Sequence, residues 1–421
     1  MSMYCVQSNV IRGLTKQQYA LLREMCQYSN NLYNVALYTI RQHYFNTKQF
    51  LTYESNYHEC KTNENYGLLQ AGVSQQIMKV VDRGFKSFFN LIKKCKQRDY
   101  RYHQVNIPHY KHKGGFFNLI MSTNSFSIKN GYLYIPMSRA FRALHPDVKE
   151  IKVRFPERLA DKTVKEVRIL PCNNGKYFKI QYVYEVTPEE ISLNKENCLS
   201  IDLGVDNLAT CVSTNGTPFI IDGRRIKSIN HYWNKEIARL RSISMKQGQK
   251  TTDRIQGITT KRNNRVNDTI KKAARCIINR CIQNGIGTLV VGYNADFKRN
   301  ANLGKQNNQN FVQIPLGNLR QQLEFLCWKY NIDYIEQEES YTSTSSFLDN
   351  DILPEYKSEQ PYTGEFKGKR IKRGLYQSSN GTILNADVNS AANILRKCKQ
   401  NLDFEKLCNR LLASPSRIRL S

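Results

Sequence analysis

The sequence predicts a multidomain chain of mixed α/β and α+β class. Three observations carry that prediction: helical periodicity over roughly residues 15–100, β alternation from Phe116 to about Val186, and a second half in which apolar strands alternate with basic helices. At 421 residues, 40% of them apolar, the chain is long enough for two or three domains with real cores. After a short strand-like start, "LTKQQYALLREMCQYSNNLYNVALYTIRQHYF" places Leu21, Met25, Leu32, Ala36 and Ile40 at helix-face spacing, and "SQQIMKVVDRGFKSFFNLIKKCK" repeats the pattern. In "FFNLIMSTNSFSIKNGYLYIPM" an Asn-Gly turn joins two strand-like runs, the strongest short hairpin signal. "KEIKVRF", "KEVRILP" and "KYFKIQYVYEV" continue the alternation and imply a small β-barrel. "TPEEISLNKEN" reads as a polar linker.

Charge is the dominant feature of the composition. Sixty-three Lys and Arg against 35 Asp and Glu give a formal +28, an excess that repels itself in a compact fold unless a polyanion neutralises it. Nucleic acid is the common polyanion; a membrane surface is the rival, but no stretch reaches the apolar length of a spanning helix. "MSMYCVQSNVIRGL" lacks the basic start and apolar run of a signal peptide, so the expectation is an intracellular protein. Its twelve cysteines then read as reduced thiols, and no two of them have the two-residue gap of a zinc knuckle. "YRYHQVNIPHYKHKGG" interleaves Arg101, Lys111 and Lys113 with aromatics such as Tyr110, which suits backbone neutralisation with base stacking as well as it suits a solvated linker. His109 and His112 there have no nearby Cys pair to complete a metal site. "KRNNRVNDTIKKAARCIINRCIQNG" puts Val266, Ile270, Ile277 and Cys281 on one helix face and leaves Lys261, Arg262, Arg265, Lys271 and Lys272 as candidate nucleic-acid contacts.

Acids are scarce in this chain, which makes their placement informative. "CLSIDLGVDNLATCVSTNGTPFIIDG" reads as a buried strand ending in Asp202, then two strands joined by Asn215-Gly216. An acid between "LSI" and a glycine is costly to bury unless paired or metal-bound. Asp206 close by reads as a turn acid. "GTLVVGYN" is an apolar strand of parallel type, "LGNLRQQLEFLCWKY" a helix and "IDYIEQEES" a further strand. In "LNADVNSAANILRK", Asp387 opens a helix; taken alone it reads as an N-cap. Acids at strand ends and a neighbouring helix start can converge to hold two Mg²⁺ ions for phosphodiester cleavage.

"SIDLGVDNLAT", "YTSTSS" and "NADVNSAANIL" resemble, in order, the three C-terminal signatures of the TnpB family of transposon-associated, RNA-guided nucleases. Fanzor proteins of eukaryotes and large viruses are relatives of that family, and type V CRISPR effectors are further kin. The resemblance implies a wedge β-barrel (residues 1–14 and 115–192) with an inserted helical recognition domain (15–114). A RuvC nuclease domain of RNase H-like fold follows (193–343 and 386–421), interrupted by a target-nucleic-acid-binding insertion (344–385). It further implies a guide RNA from the element's own end, target double-stranded DNA beside a short adjacent motif, and two Mg²⁺ ions, with Mn²⁺ as substitute. The expected form is a monomer with one RNA, nuclear if eukaryotic or viral in origin and cytoplasmic if bacterial.

Two departures from the family pattern are visible. The family's second catalytic acid is a Glu ending the strand that here reads "LVVGYN", and Gly292, Tyr293 and Asn294 offer no carboxylate; Asp296 follows beyond the strand end. Fanzor proteins and some bacterial relatives resemble this arrangement in using a relocated Glu on the next strand. That position corresponds to Glu339, with its neighbour Glu338 as the fallback, so the resemblance implies a site of Asp202, Glu339 and Asp387. Second, Ser346, Asp349, Gln377 and Asn380 stand near the places of a zinc ribbon's four cysteines, so no zinc is expected. The basic residues of that insertion, Lys369, Arg370 and Arg373 among them, are candidate nucleic-acid contacts or a solvated loop. The competing readings are a guided DNA-binding protein that has lost cleavage and a transposase that binds element ends without RNA.

Overall fold

Thr15 opens the first long helix with a capping box. Its hydroxyl accepts from the Gln18 backbone N–H while the Gln18 side chain accepts from the Thr15 N–H, each at 3.1 Å, so two end donors are satisfied reciprocally. The computed structural model describes residues 3–97, 101–293, 313–356, 362–399, 412 and 414–420. It divides into two units, Met1–Thr187 and Pro188–Ser421.

In the first unit, strand β1 (Met3–Val10) precedes helix α1 (Lys16–Thr47), which buries Leu21, Met25, Leu32, Ala36 and Ile40 as their spacing requires. Helices α2 (Tyr53–Cys60), α3 (Glu64–Leu68) and α4 (Ala71–Lys96) follow, α4 burying Ile77, Val81 and Phe85. Then come β2 (Leu119–Ser122), β3 (Ser127–Lys129), β4 (Tyr132–Ile135), α5 (Arg139–Leu144), β5 (Ile151–Arg154), β6 (Val164–Cys172) and β7 (Tyr177–Val186). At the Asn-Gly turn between β3 and β4, Asn130 and Gly131 have φ of 50° and 74°, the left-handed pair that a two-residue hairpin loop demands. The strands expected as one barrel form two antiparallel sheets, in the orders β1-β7-β6-β2 and β3-β4-β5. Both share a single core with α1 and α4.

The second unit is built on a mixed sheet. Its elements are β8 (Asn194–Leu203), β9 (Asn207–Ser213), β10 (Phe219–Asp222), α6 (Arg224–Lys246), α7 (Asp253–Gln283), β11 (Ile286–Tyr293), α8 (Leu316–Lys329) and β12 (Asp333–Glu338). After these come β13 (Lys369–Lys372), β14 (Leu375–Gln377), β15 (Ile383–Asn385), α9 (Ala386–Cys398) and β16 (Ser416–Ile418). The main sheet runs β12-β11-β8-β9-β10-β16, with β8, β11 and β12 parallel and β9 antiparallel to both its neighbours. Period-two alternation sorts the two faces. Leu199, Ile201, Ala209, Cys211, Leu289 and Val291 join a core with α7 and α8, while Cys198, Val212 and Ile220 pack with Val388, Ala391 and Leu395 of α9. Among the described residues no helix is long and apolar enough to cross a membrane.

Strands β13, β14 and β15 form a small sheet of their own within the insertion, which is closed by hydrogen bonds between its two turns. Asp349 accepts from the Ser346 hydroxyl at 2.5 Å and from the Ser379 N–H at 2.9 Å. Asp351 accepts from the Ser346 N–H at 2.9 Å and the Lys367 N–H at 3.1 Å. Burial pushes the Asp349 carboxyl up, but hydrogen bonds from Ser346 and Ser379 outweigh it and hold the group below its ordinary value. A depressed folded-state value means that this stabilisation is present above the ordinary Asp value and is lost as pH falls through the folded one. Asp349→Ala should therefore lower stability by about 1–2 kcal/mol at neutral pH. In denaturant melts that deficit should shrink below about pH 4; an undiminished deficit at low pH would contradict the role of the ionised carboxylate.

Candidate active site

Four elements meet at the C-terminal edge of the parallel strands. Asp202, near the end of β8, pairs across the sheet with Thr210 of β9, and its side chain shares a face with Ser200, whose hydroxyl donates to the Ala391 carbonyl of α9 at 2.6 Å. On the other side, Ile201 pairs with Val291, which sets Gly292 beside Asp202. Burial drives the Asp202 carboxyl well above its ordinary value; the negative fields of Asp387 and then Glu339 add to it, and Arg370 alone opposes.

Asp387 is not the cap of its helix. Asn385 is: its side chain accepts from the Asp387 N–H at 3.0 Å, which leaves the Asp387 carboxylate free to point elsewhere. That carboxylate accepts through Oδ2 from Asn207 Nδ2 at 2.8 Å.

The two glutamates are separated by their partners. Glu338, the last residue of β12, accepts from the Ser340 N–H at 2.5 Å and from Lys397 Nζ of α9 at 2.9 Å. Burial raises its carboxyl, but those hydrogen bonds prevail and hold it low. Glu339 is raised, by burial first and by the field of Glu338 second, against Arg320 and Lys397. Its position explains why "VVGYN" carries a glycine. A Cβ placed on Gly292 would lie 2.8 Å from Glu339 Oε2 and 2.6 Å from Ile394 Cδ1. The Glu339 carboxylate therefore lies against the stretch of β11 from which a side chain at 292 would project.

The Thr-Ser loop after Glu339 is fastened to α9. Asn393 Nδ2 donates to the carbonyls of Thr342 (2.9 Å) and Ser345 (2.8 Å). Asn389 donates to Ser345 (2.8 Å) and accepts from the Phe347 N–H (2.9 Å). Tyr341 is held at φ 63°, a left-handed conformation uncommon for a bulky side chain, in the turn immediately after Glu339. These amides account for "YTSTSS" and "NADVNSAANIL" occurring together, since one supplies the carbonyls that the other binds.

The surrounding acids are sorted by their partners. Glu338 has Lys397; Asp206 has Lys227 at 2.7 Å and Arg373 at 2.9 Å; Asp222 has Arg224. Among the described residues, Asp202, Glu339 and Asp387 have no ion pair. Their donors are all carboxylate oxygens, a set that suits a hard cation such as Mg²⁺ or Mn²⁺. Crowded like charge around a buried acid is the condition that a divalent cation relieves. Among the described residues no three or more His, Cys, Asp or Glu side chains, these acids included, are grouped closely enough to hold a metal ion as they stand.

The candidate nucleic-acid contacts divide into exposed and internal cations. Arg101, Lys113, Lys261, Arg265, Lys271 and Lys272 are exposed, Lys272 in an ion pair with Asp268 at 3.0 Å. Lys111 is turned inward: its ammonium sits 4.2 Å from the Phe117 ring centre and 4.4 Å from that of Tyr33, and burial lowers its pKa. Arg262 likewise joins α7 to α6, donating to Asn230 Oδ1 at 2.8 Å and to the Gln313 carbonyl at 3.0 Å. The Tyr110 ring carries the Arg41 guanidinium at 4.8 Å. Lys369 and Arg370 line a cleft of about 530 Å³ together with Ser343, Thr344 and Phe366. Asn294 and Asp296 lie outside the described residues. Asn207, Asn389 and Asn393 were not singled out from the sequence; the available signal was an amide set among apolar residues, as in "VDNLAT" and "AANIL".

Comparison with known proteins places these observations. Residues 181–298 match the model of the OrfB_IS605 family, described as a probable transposase. The TnpB-like protein ORF457 of Acidianus two-tailed virus is 24% identical over 216 residues; the match covers 47% of this chain and spans 41% of that protein's length. In fold, the chain is similar to Cas12f1 in its complex with sgRNA and target DNA, at a TM-score of 0.61 and 15% identity over 90% of this chain and 83% of that one. It is also similar to the mini-RNA-guided endonuclease CRISPR-Cas phi3, at 0.52 and 10% over 98% and 94%.

Gly292→Ala puts a methyl group into the space shared by Ile394 and Glu339, and overpacking of that kind costs about 1–3 kcal/mol. Both contacts are ends of flexible side chains, so denaturant melts should show a loss at the low end of that range; a loss well above it would mean that neither side chain can turn aside.

Proposed function

The chain belongs to the TnpB-like family, and from that premise we propose that it is an RNA-guided DNA endonuclease with RuvC-type chemistry. One observation supports this reading above others. The chain gives neighbouring acids their own cations, yet among the described residues Asp202, Glu339 and Asp387 have no ion pair. A structural role would favour pairing, because a half-buried carboxylate with no cation beside it is costly.

Asp202, Glu339 and Asp387 would hold two Mg²⁺ or Mn²⁺ ions, which when bound activate water and stabilise the leaving oxygen. The protein's own contribution is placement. Asp202 lies in the fields of the other two acids and would contribute its carboxylate to holding the ions. Arg370, exposed and close enough to oppose Asp202's charge, meets the incoming phosphate. Glu338 stays with Lys397 and takes no part. The exposed cations Lys261, Arg265, Lys271 and Lys272 of α7 and Lys369 of the insertion neutralise nucleic-acid backbone, while base pairing with the guide reads the target. The guide derives from the chain's own element, the cut falls next to a short adjacent motif, and one copy of the chain acts with one RNA.

The chain purified without nuclease treatment should carry a defined RNA, and the complex should cleave a matched duplex only with Mg²⁺ or Mn²⁺. Asp202→Ala and Glu339→Ala should each reduce cleavage more than about 100-fold, the scale of losing a group that stabilises transition-state charge. Both should retain the RNA, and Glu338→Ala should stay close to the parent. Equal activity in the two Glu variants would overturn the assignment of Glu339, and metal-dependent binding without any cleavage would favour a guided DNA-binding protein.

A further inference from the structure

We infer that Asn207 is the positioning residue for Asp387, and that the C-terminal strand β16 sets the direction in which it points. The inference rests on the nuclease reading above. Asn207 is 9% exposed at the start of β9 and is held from both ends. Its Nδ2 donates to Asp387 Oδ2 at 2.8 Å, and its Oδ1 accepts from Arg417 Nη1 at 2.9 Å.

The order of these contacts matters because the two ends of a carboxamide have nearly the same shape and opposite polarity. A guanidinium can only donate, so it selects the Oδ1 end and turns the NH₂ group toward Asp387. The NH₂ group can only donate in turn, so it occupies Oδ2 and leaves Oδ1 for a metal ligand's role. Asp387, which only accepts, and Arg417, which only donates, select the same orientation, and Arg417 adds the second anchor that fixes the amide in place. Asn385 fixes the backbone at Asp387 independently, so Asn207 acts on the side chain alone.

Arg417 is itself held in place. β16 pairs in parallel with β10, Ser416 opposite Phe219 and Ile418 opposite Ile221, and the Ser416 N–H donates to the Pro218 carbonyl at 3.1 Å. The guanidinium also lies 3.8 Å from Asp222 Oδ2, a carboxylate already bound by Arg224. Docking of the last strand is thereby coupled, through two side chains, to the geometry of an acid thirty residues earlier.

The test uses the chain with its co-purified RNA, comparing the parent with N207A, R417A, R417K and the double variant N207A/R417A. N207A and R417A should each lower kcat on a matched duplex by about 10–100-fold and raise the Mg²⁺ concentration for half-maximal rate, the usual scale for a residue that orients a metal ligand. KM for the duplex and the RNA content should not change. R417K, which still presents only donors to Oδ1, should recover most of the rate. The double variant should be no worse than N207A, because both act through one amide. The rise in melting temperature on adding Mn²⁺ should shrink in N207A, a readout that requires no cleavage. An unchanged kcat and Mn²⁺ response in N207A, or losses that add in the double variant, would overturn the relay while leaving the nuclease reading intact. A parent that neither cleaves nor responds to Mn²⁺ would overturn both.

Discussion

The close seat of α9 on the mixed sheet is the constraint from which the rest of the site follows. Small residues allow it: Ser200 donates directly to the Ala391 carbonyl, and Gly292 leaves the volume that Ile394 and Glu339 occupy. At that distance Asp387, in the first turn of α9, lies within the field of Asp202. The same approach lets Asn389 and Asn393 bind the loop that follows Glu339, so that a single helix positions two acids against a third. A Cβ at residue 292 would meet the ends of both the Ile394 and the Glu339 side chains, so Glu339 occupies space that a side chain on β11 would otherwise take.

That arrangement carries an electrostatic cost. Burial and the fields of Asp387 and Glu339 raise the Asp202 carboxyl, and burial with the field of Glu338 raises that of Glu339. A chain with a formal +28 has cations to spare, and it places them with selectivity. Lys397 binds Glu338, Lys227 and Arg373 bind Asp206, and Arg224 binds Asp222, while Asp202, Glu339 and Asp387 have no ion pair among the described residues. In fold the chain is similar to Cas12f1 and to the mini-RNA-guided endonuclease CRISPR-Cas phi3.

Much of this was legible in the sequence, for physical reasons that also mark where legibility ends. Helix faces such as Leu21 to Ile40 and the Asn130-Gly131 turn are local, set by periodicity and by allowed φ, and they were readable directly. Asp202 was readable because an acid after an apolar strand is anomalous anywhere. The use of Asn385 rather than Asp387 as the cap was not, since both residue types cap helices and only the fold shows which oxygen is committed. Nor were the contacts of Lys111 with Tyr33 and Phe117 and of Arg262 with Asn230, which join residues far apart in the chain. Asn207 lay beyond sequence reasoning, because its partners Asp387 and Arg417 are 180 and 210 positions away.

The most direct measurement of the central claim is anomalous scattering from Mn²⁺ in crystals of the chain with its guide RNA. Metal density should be enclosed by the carboxylates of Asp202, Glu339 and Asp387, with Glu338 still on Lys397. Metal bound by Glu338, or Glu339 turned away from Gly292 with no density beside Asp202, would contradict that claim.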